Sequence, residues 1–585
     1  MPETRCSTKD PLPLERPWSR EHVHASRGDE KYVAVPPLAD AVELAHRNRE
    51  RLATSCIDVQ GRELSTIRRW ARREVLREAR QYTDGLLSEA PLERHAEFDK
   101  SRPENQPPGS SALYDAAETA LYVGGHQPTL FHPGVWVKNF VVGGLAQHDR
   151  AIGLNLVVDT DTLSGTTVRV PTGMRDAPRM ATIAFDEPRP RQPWEEAKIA
   201  NRDLFGSFAE RTTAAMANCG FSALLPDFWP AAVRRSTRTD SLAECLTAAR
   251  SAWERSWGLS NLELPVSRLC TIEPFLWFSA HLLAHLPRFQ AVYNEVLREF
   301  RLINRVRSRM HPVPDLREDD GWFEAPFRVW RAGDHVRRPV FARQFEGEIR
   351  LSDGETIFAE LPLSPGKDAC CAVAELQKLA PQGIRFRTRA LTTTMFARLC
   401  FADLFVHGIG GSKYDQMTDR IVARFFGLAA PEFLTMSATL QLPVPDLPVV
   451  PEDNNRLQRQ LRELDYNSDR HLPSNLSAAE RGLVAEKLRL INEQNSIERE
   501  PPPMTEGAAR NTGAGYDRFR RLQQVNRQLA ALTQGNRRRI EEELSRTRQQ
   551  LAANSIWHDR EYAFCLYPAE KLKRFMNHVC TSTLG

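Results

Sequence analysis

The sequence predicts an α/β fold: a parallel sheet, a helical insertion and a C-terminal coiled-coil arm. Three observations carry that expectation. ALYVGG (120–125), VWVKNFVVGGLAQ (135–147) and IGLNLVVD (152–159) read as strand, helix and strand, a βαβ unit. ADLFVHGIGG (402–411) and KYDQMTDRIVARFFG (413–427) repeat the strand–glycine–helix pattern much later in the chain. Finally, Leu522, Val525, Leu529, Leu532, Ile540, Leu544 and Leu551 recur at a spacing close to a heptad seam, with Asn536 inside it.

Taken in order, residues 1–110 form an N-terminal extension. Its first 37 residues are rich in Pro, Arg and charge and read as a loosely held arm, followed by helical periodicity from Asp40 to Leu87. SRPENQPPGSS (101–111) is a linker. Residues 111–190 carry the first part of the sheet. Pro133 falls near the first turn of the helix there, where a missing N–H costs nothing. Residues 191–380 read as one insertion, helical up to Arg309 and then strand-rich in WFEAPFRVWRAG (322–333) and VFARQFEGEIRLS (340–352). The sheet resumes over 381–452. Residues 453–552 are the arm, with a capping box at Ser477 and Glu480 and a break at Pro501 to Pro503, and 553–585 return to the body.

Composition narrows the function classes. In 585 residues, 79 basic side chains against 75 acidic ones leave +4, too little for a whole-chain polyanion binder. The arginines of the arm read as charges that solvate its outer faces, so a nucleic-acid partner is not expected. The 10 cysteines form no C-x-x-C pair, which argues against a zinc ribbon or a disulfide framework. With no signal-peptide core and no long apolar span, a cytoplasmic protein that binds no membrane is expected.

Two junctions can carry chemistry. In GGHQPTLFHPG (124–134), Gly124 and Gly125 permit close backbone approach and the following helix start offers N–H groups to an anion. His126 and His132 can donate hydrogen bonds or shuttle protons, Gln127 lies between them, and Lys138 follows within two helical turns. The same residues also fit a tight turn whose histidines satisfy backbone groups. In VHGIGGSKYD (406–415), His407, Gly408, Gly410 and Gly411 can wrap a phosphate or carboxylate, with Lys413 as counter-charge. Asp159 and Asp161, closing the second strand, can hold a cation or an amine, or merely close an Asx-type turn. There is no Walker A loop, HExxH, GxSxG or C-x-x-C pattern, and no protein metal site is expected.

The order of these parts resembles the cysteine ligases that add cysteine in the last step of bacillithiol synthesis. That family's glycine–glutamine–glutamine turn, Leu-Phe step and Gly-Pro step correspond here to Gly125-His126-Gln127-Pro128, Leu130-Phe131 and Pro133-Gly134. Its acidic strand end corresponds to Asp159-Thr160-Asp161, its later Gly-Gly to Gly410-Gly411, and its coiled coil to roughly 453–550. His126 stands where the family has glutamine, and the acidic motif lacks its histidine. The resemblance implies a Rossmann-like, nucleotidyltransferase-like core and an enzyme that joins a cysteine carboxyl to a sugar amine, with ATP (and Mg) for activation. It also implies a homodimer through the coiled coil. His126, Gln127 and the helix start would bind the activating phosphate or carboxylate. Asp159 and Asp161 would hold the amine or a metal-bound nucleotide, and Lys413 would neutralise charge. A non-catalytic assembly protein and another nucleotidyl- or glycosyl-type transferase are the alternatives.

Overall fold

The structure, a computed structural model, describes residues 15–18, 23–88, 119–499 apart from 309, 312 and 473, and 512–581. The expected linker at 101–111 and the proline break at 501–503 lie outside the described residues. The first strands are β1 (Lys31–Val35), β2 (Leu121–His126), β3 (Ile152–Val157), β4 (Thr167–Met174), β5 (Ala177–Ala184) and β6 (Leu262–Pro265). Then follow β7 (Glu318–Asp319), β8 (Trp322–Arg331), β9 (Arg338–Phe345), β10 (Glu348–Ser352), β11 (Ile357–Leu361), β12 (Ile384–Thr388), β13 (Leu404–His407) and β14 (Phe433–Thr439). The first helices are α1 (Ala41–Ala53), α2 (Leu64–Leu87) and α3 (Pro133–His148).

The chain is an α/β protein. Its central sheet has the order β1-β14-β13-β2-β3-β6, with β1 antiparallel to β14 and every other pair parallel. Short runs such as Leu121-Tyr122-Val123 are apolar on consecutive residues because helices cover both faces of the sheet. Leu121, Val123, Leu154, Leu156 and Phe405 enter one core, with α2 and the helices Glu273–Ala284 and Ile409–Ile421. Tyr122, Leu404, Val406, Leu434 and Met436 enter the other, with α3 and the helix Ala569–Thr581. The largely apolar α3 follows from its place between the sheet and that last helix. Thus β2 and β13 lie side by side, and the helices that follow them leave to opposite faces. Their carboxyl ends flank the point where strand order reverses, the place where such sheets form a ligand crevice.

The second sheet, β11-β10-β9-β8-β12 with β7 beside β8, is antiparallel, and its apolar face shares the first core. The structure differs from the expectation of one insertion. β6 comes from inside the stretch 191–380, so the chain leaves the sheet twice, over 158–261 and 266–403. The N-terminal segment contributes an edge strand, and Glu15 pairs with Arg424 (2.7 Å) while Trp18 packs edge-on to Phe300, so its described part is held down.

The arm is built from helix pairs. Pro451–Tyr466 and Gln534–Trp557 run antiparallel, since Asp465 meets Arg537 while Asn454 meets Arg548, and they bury Leu457, Leu464, Ile540 and Leu544. Ala478–Arg499 and Thr512–Leu532 pair similarly over Leu490, Val525 and Leu529. The expected continuous seam from 522 to 551 is broken at Thr533, where one helix ends and the next begins. Leu532 and Asn536 are consequently exposed, because the break changes which face points inward. Among the described residues, no helix is long and apolar enough to cross a membrane.

Candidate functional site

The first junction is tightly packed. A Cβ on Gly124 would meet Val142 at 3.2 Å, one on Gly125 would meet Leu156 at 3.3 Å, and one on Gly134 would lie 2.2 Å from the Ala438 carbonyl oxygen. These glycines let α3 and β14 approach. They are not an open phosphate loop. His126 ends β2, with Nδ1 3.1 Å from the Gln127 carbonyl and its ring edge-on to Phe131. Burial, with Lys138 nearby, pushes its pKa down to about 3, so the ring is neutral and serves as a hydrogen-bonding group, not a cation. His132 caps α3: its Nδ1 accepts from the Gly134 N–H (3.1 Å), and burial lowers its pKa. Lys138 is fully enclosed and donates to the Gly125 carbonyl (2.8 Å), with burial bringing it down to about 8. Its role is to tie the turn to α3. The expectation of a ligand-facing Lys138 is therefore corrected.

The second junction is open. Gly408 is the N-cap of the helix Ile409–Ile421, so Gly410 and Gly411 lie within its first turn and not in a wrapping loop. Nothing approaches the Cβ positions of Gly408 or Gly410, whereas one on Gly411 would crowd the His407 ring at 3.0 Å. This helix start lies at the sheet's carboxyl edge, where its first-turn N–H groups have no intrahelical acceptor. His407 is buried and bound through Nε2 to Asp415 (2.9 Å). Asp415 also takes Arg398 (2.5 Å) and the Thr394 hydroxyl (2.6 Å). Burial opposes its charge, but Arg398 and His407 outweigh that and hold its carboxyl well below the usual range. Lys413 follows, half-buried, and makes no hydrogen bond or ion pair among the described residues.

Because Val406 pairs with Gly124 in parallel register, both junctions open on one edge. The end of β3 completes it. Asp159 and Asp161 do not act as a matched pair. Asp159 is buried and accepts from the Ser267 N–H (2.9 Å) and hydroxyl, at the start of the helix Val266–Leu269. Burial, with Glu195 beside it, raises its pKa to about 7, so the carboxyl exchanges its proton near neutrality. Asp161 is half-exposed and is held by Gln127 and by Arg337 (3.1 Å).

A second wall was not visible in the sequence reading. Arg387 and Arg385, two apart on β12 and so on one side of it, reach Glu195 (2.8 Å) and Glu196 (3.2 Å) beyond the end of β3. Arg337 donates to the Thr160 carbonyl (2.8 Å). The polar face of the second sheet thus lies over the carboxyl edge of the first. The alternating Arg-Phe-Arg of β12 was the available signal, but its partners lie some 190 residues away.

As to what the residues can hold, no group of three or more His, Cys, Asp or Glu fit for a metal ion occurs among the described residues. Asp159 and Asp161 are also engaged separately, so they do not form a magnesium cage. No family model matches the chain, and no curated protein matches it.

Proposed function

We propose that the chain is a ligase of the cysteine-ligase type, joining an amino-acid carboxyl to an amine in low-molecular-weight thiol synthesis with ATP as the activating co-substrate. The observation that carries the reading is the reversal point between β2 and β13. It brings His126, Gln127, Asp159 and an open helix start to one edge of the sheet although Gly408 lies far along the chain from the other three. The strand order supports a Rossmann-like core, and the order of parts supports the family.

In this reading the helix start at Gly408 and Lys413 face the phosphates or the activated carboxyl, where fixed N–H dipoles favour negative charge. Neutral His126 and Gln127 orient the acyl group by hydrogen bonds. When the amine nitrogen attacks the acyl carbon, the activating group departs with the C–O bonding electrons and the nitrogen must lose a proton. Asp159, poised near neutrality, is placed to accept it. The residues do not fit a protein-held magnesium site, so no step is routed through one.

Incubating the protein with ATP, L-cysteine and an amino sugar tests this directly. Mass spectrometry is expected to show the amide together with ATP consumption that requires both other substrates. ATP stable in all mixtures, or no amide with any amine offered, overturns the reading. The arm completes the proposal as a coiled coil that holds a homodimer. Light scattering showing a monomer at micromolar concentration removes that part.

A further inference from the structure

The second sheet presents two chemically different faces. Ala325, Phe327 and Val329 of β8 enter the apolar core, so the alternation of a strand sends Glu324, Arg328 and Trp330 to the other side. Arg328 is paired across to Arg387 on β12, making the two guanidinium groups neighbours on the polar face. Their surroundings differ. Arg387 is answered by both oxygens of Glu195, at 2.9 and 2.8 Å. The Arg328 side chain makes no hydrogen bond among the described residues, and its ion-pair partner is Glu324 at 3.7 Å.

That partner is already shared. Glu324 also takes Arg317 at 3.0 Å and Arg389 at 3.3 Å. Arg328 also lies near Arg337, which is itself committed to Asp161. Four guanidinium groups therefore share two carboxylates, Glu324 and Asp161, and the surplus is positive. Arg328 retains 23% side-chain exposure, enough for a ligand to reach and too little for water to screen it freely. Burial and the adjoining Arg389 push its pKa down to about 10, as expected for a cation short of a counter-charge. Surplus, partly buried arginines favour an oxyanion, since the planar fork matches carboxylate and phosphate oxygens.

We propose that the polar face of the second sheet binds an oxyanion of the substrate through Arg328. The inference rests on the ligase reading for the identity of that oxyanion, an amino-acid carboxylate or a nucleotide phosphate. The site itself rests on the charge surplus.

Calorimetry on the full chain, with inorganic phosphate, ATP and L-cysteine as separate titrants, tests it on the unmodified protein, Arg328→Met and Arg328→Lys. At least one titrant is expected to bind. Losing a charge-assisted hydrogen bond should weaken it roughly tenfold to a hundredfold in Arg328→Met, with Arg328→Lys falling between because it keeps the charge without the fork. If ATP or cysteine binds the variants as tightly as the parent, the inference is overturned and the ligase reading stands. Phosphate binding that depends on Arg328, without any binding of ATP or cysteine, keeps the site and overturns the ligase reading. No binding of all three to the unmodified protein overturns the site. Should Arg328→Met fail to fold, undiminished affinity in Arg328→Lys gives the same refutation.

Discussion

The two junctions at the carboxyl edge of the central sheet carry the same kind of sequence, a short apolar strand, paired glycines and a histidine before a helix, yet they are built for different reasons. At β2 the glycines are packing residues, hemmed in by Val142, Leu156 and the Ala438 carbonyl. At β13 a Cβ on Gly408 or Gly410 would meet nothing within 4 Å, which leaves the helix start uncovered. The histidines differ likewise. His126 is a neutral ring against Phe131, whereas His407 is locked onto a carboxylate that Arg398 also holds. A glycine pair after a strand therefore marks close approach in one place and access in the other. Only the neighbours tell which.

This comparison can be broken by substitution. The largest effect is expected from Asp415→Ala, which removes the partner of His407 and leaves Arg398 with Asp419 and the Pro431 carbonyl. Breaking a buried ion pair in this way should cost up to about 5 kcal/mol in denaturant titration. A loss below about 1 kcal/mol would show that the second junction does not depend on the network.

Asp159 comes next, through pH. Its folded-state pKa of about 7 lies above the ordinary aspartate value, so the native state holds a proton that the unfolded chain has lost. The sign follows: this contribution to stability is complete below about pH 4 and is lost as pH rises through 7. Asp159→Asn should remove that slope and leave the protein more stable at pH 8, by up to about 4 kcal/mol. An unchanged pH profile of the melting temperature would show that the carboxyl does not titrate there.

The glycines give the direct contrast. Gly134→Ala forces a methyl into the Ala438 carbonyl oxygen and should cost about 3 kcal/mol as the start of α3 is pushed from β14. Gly410→Ala adds a methyl to an open helical turn and should be neutral or stabilising by less than about 1 kcal/mol. Thermal melts of the two variants side by side decide it. Equal losses would mean that the junctions are built alike.

The elements were legible where local chemistry settles them. The apolar run of β2, Pro133 at the first turn of α3 and the glycine stop at Gly427, which takes a left-handed φ of 67°, all stand where the pattern placed them. The capping box is present too: Glu480 accepts from the Ser477 N–H (2.7 Å), and the Ser477 hydroxyl accepts from the Glu480 N–H (3.3 Å). Less legible were β1 and β6, short segments that become strands only by pairing with distant partners. Leu532 followed the leucine spacing into an expected seam but is exposed, because periodicity does not reveal a break at Thr533.

The site divides in the same way. Sequence by itself determined that the strand ends with His126 and His407 precede helices, since hydrophobic period, capping and glycine stops are written within a few residues. Tertiary structure alone decided that β2 and β13 are neighbours and that Lys138 is enclosed. It also decided that Arg337, Arg385 and Arg387 meet the acidic residues beyond β3, with Arg328 beside Arg387. Those facts depend on contacts between residues far apart in the chain. Each side chain's charge state and reach is set by what folding packs against it, not by its neighbours in sequence.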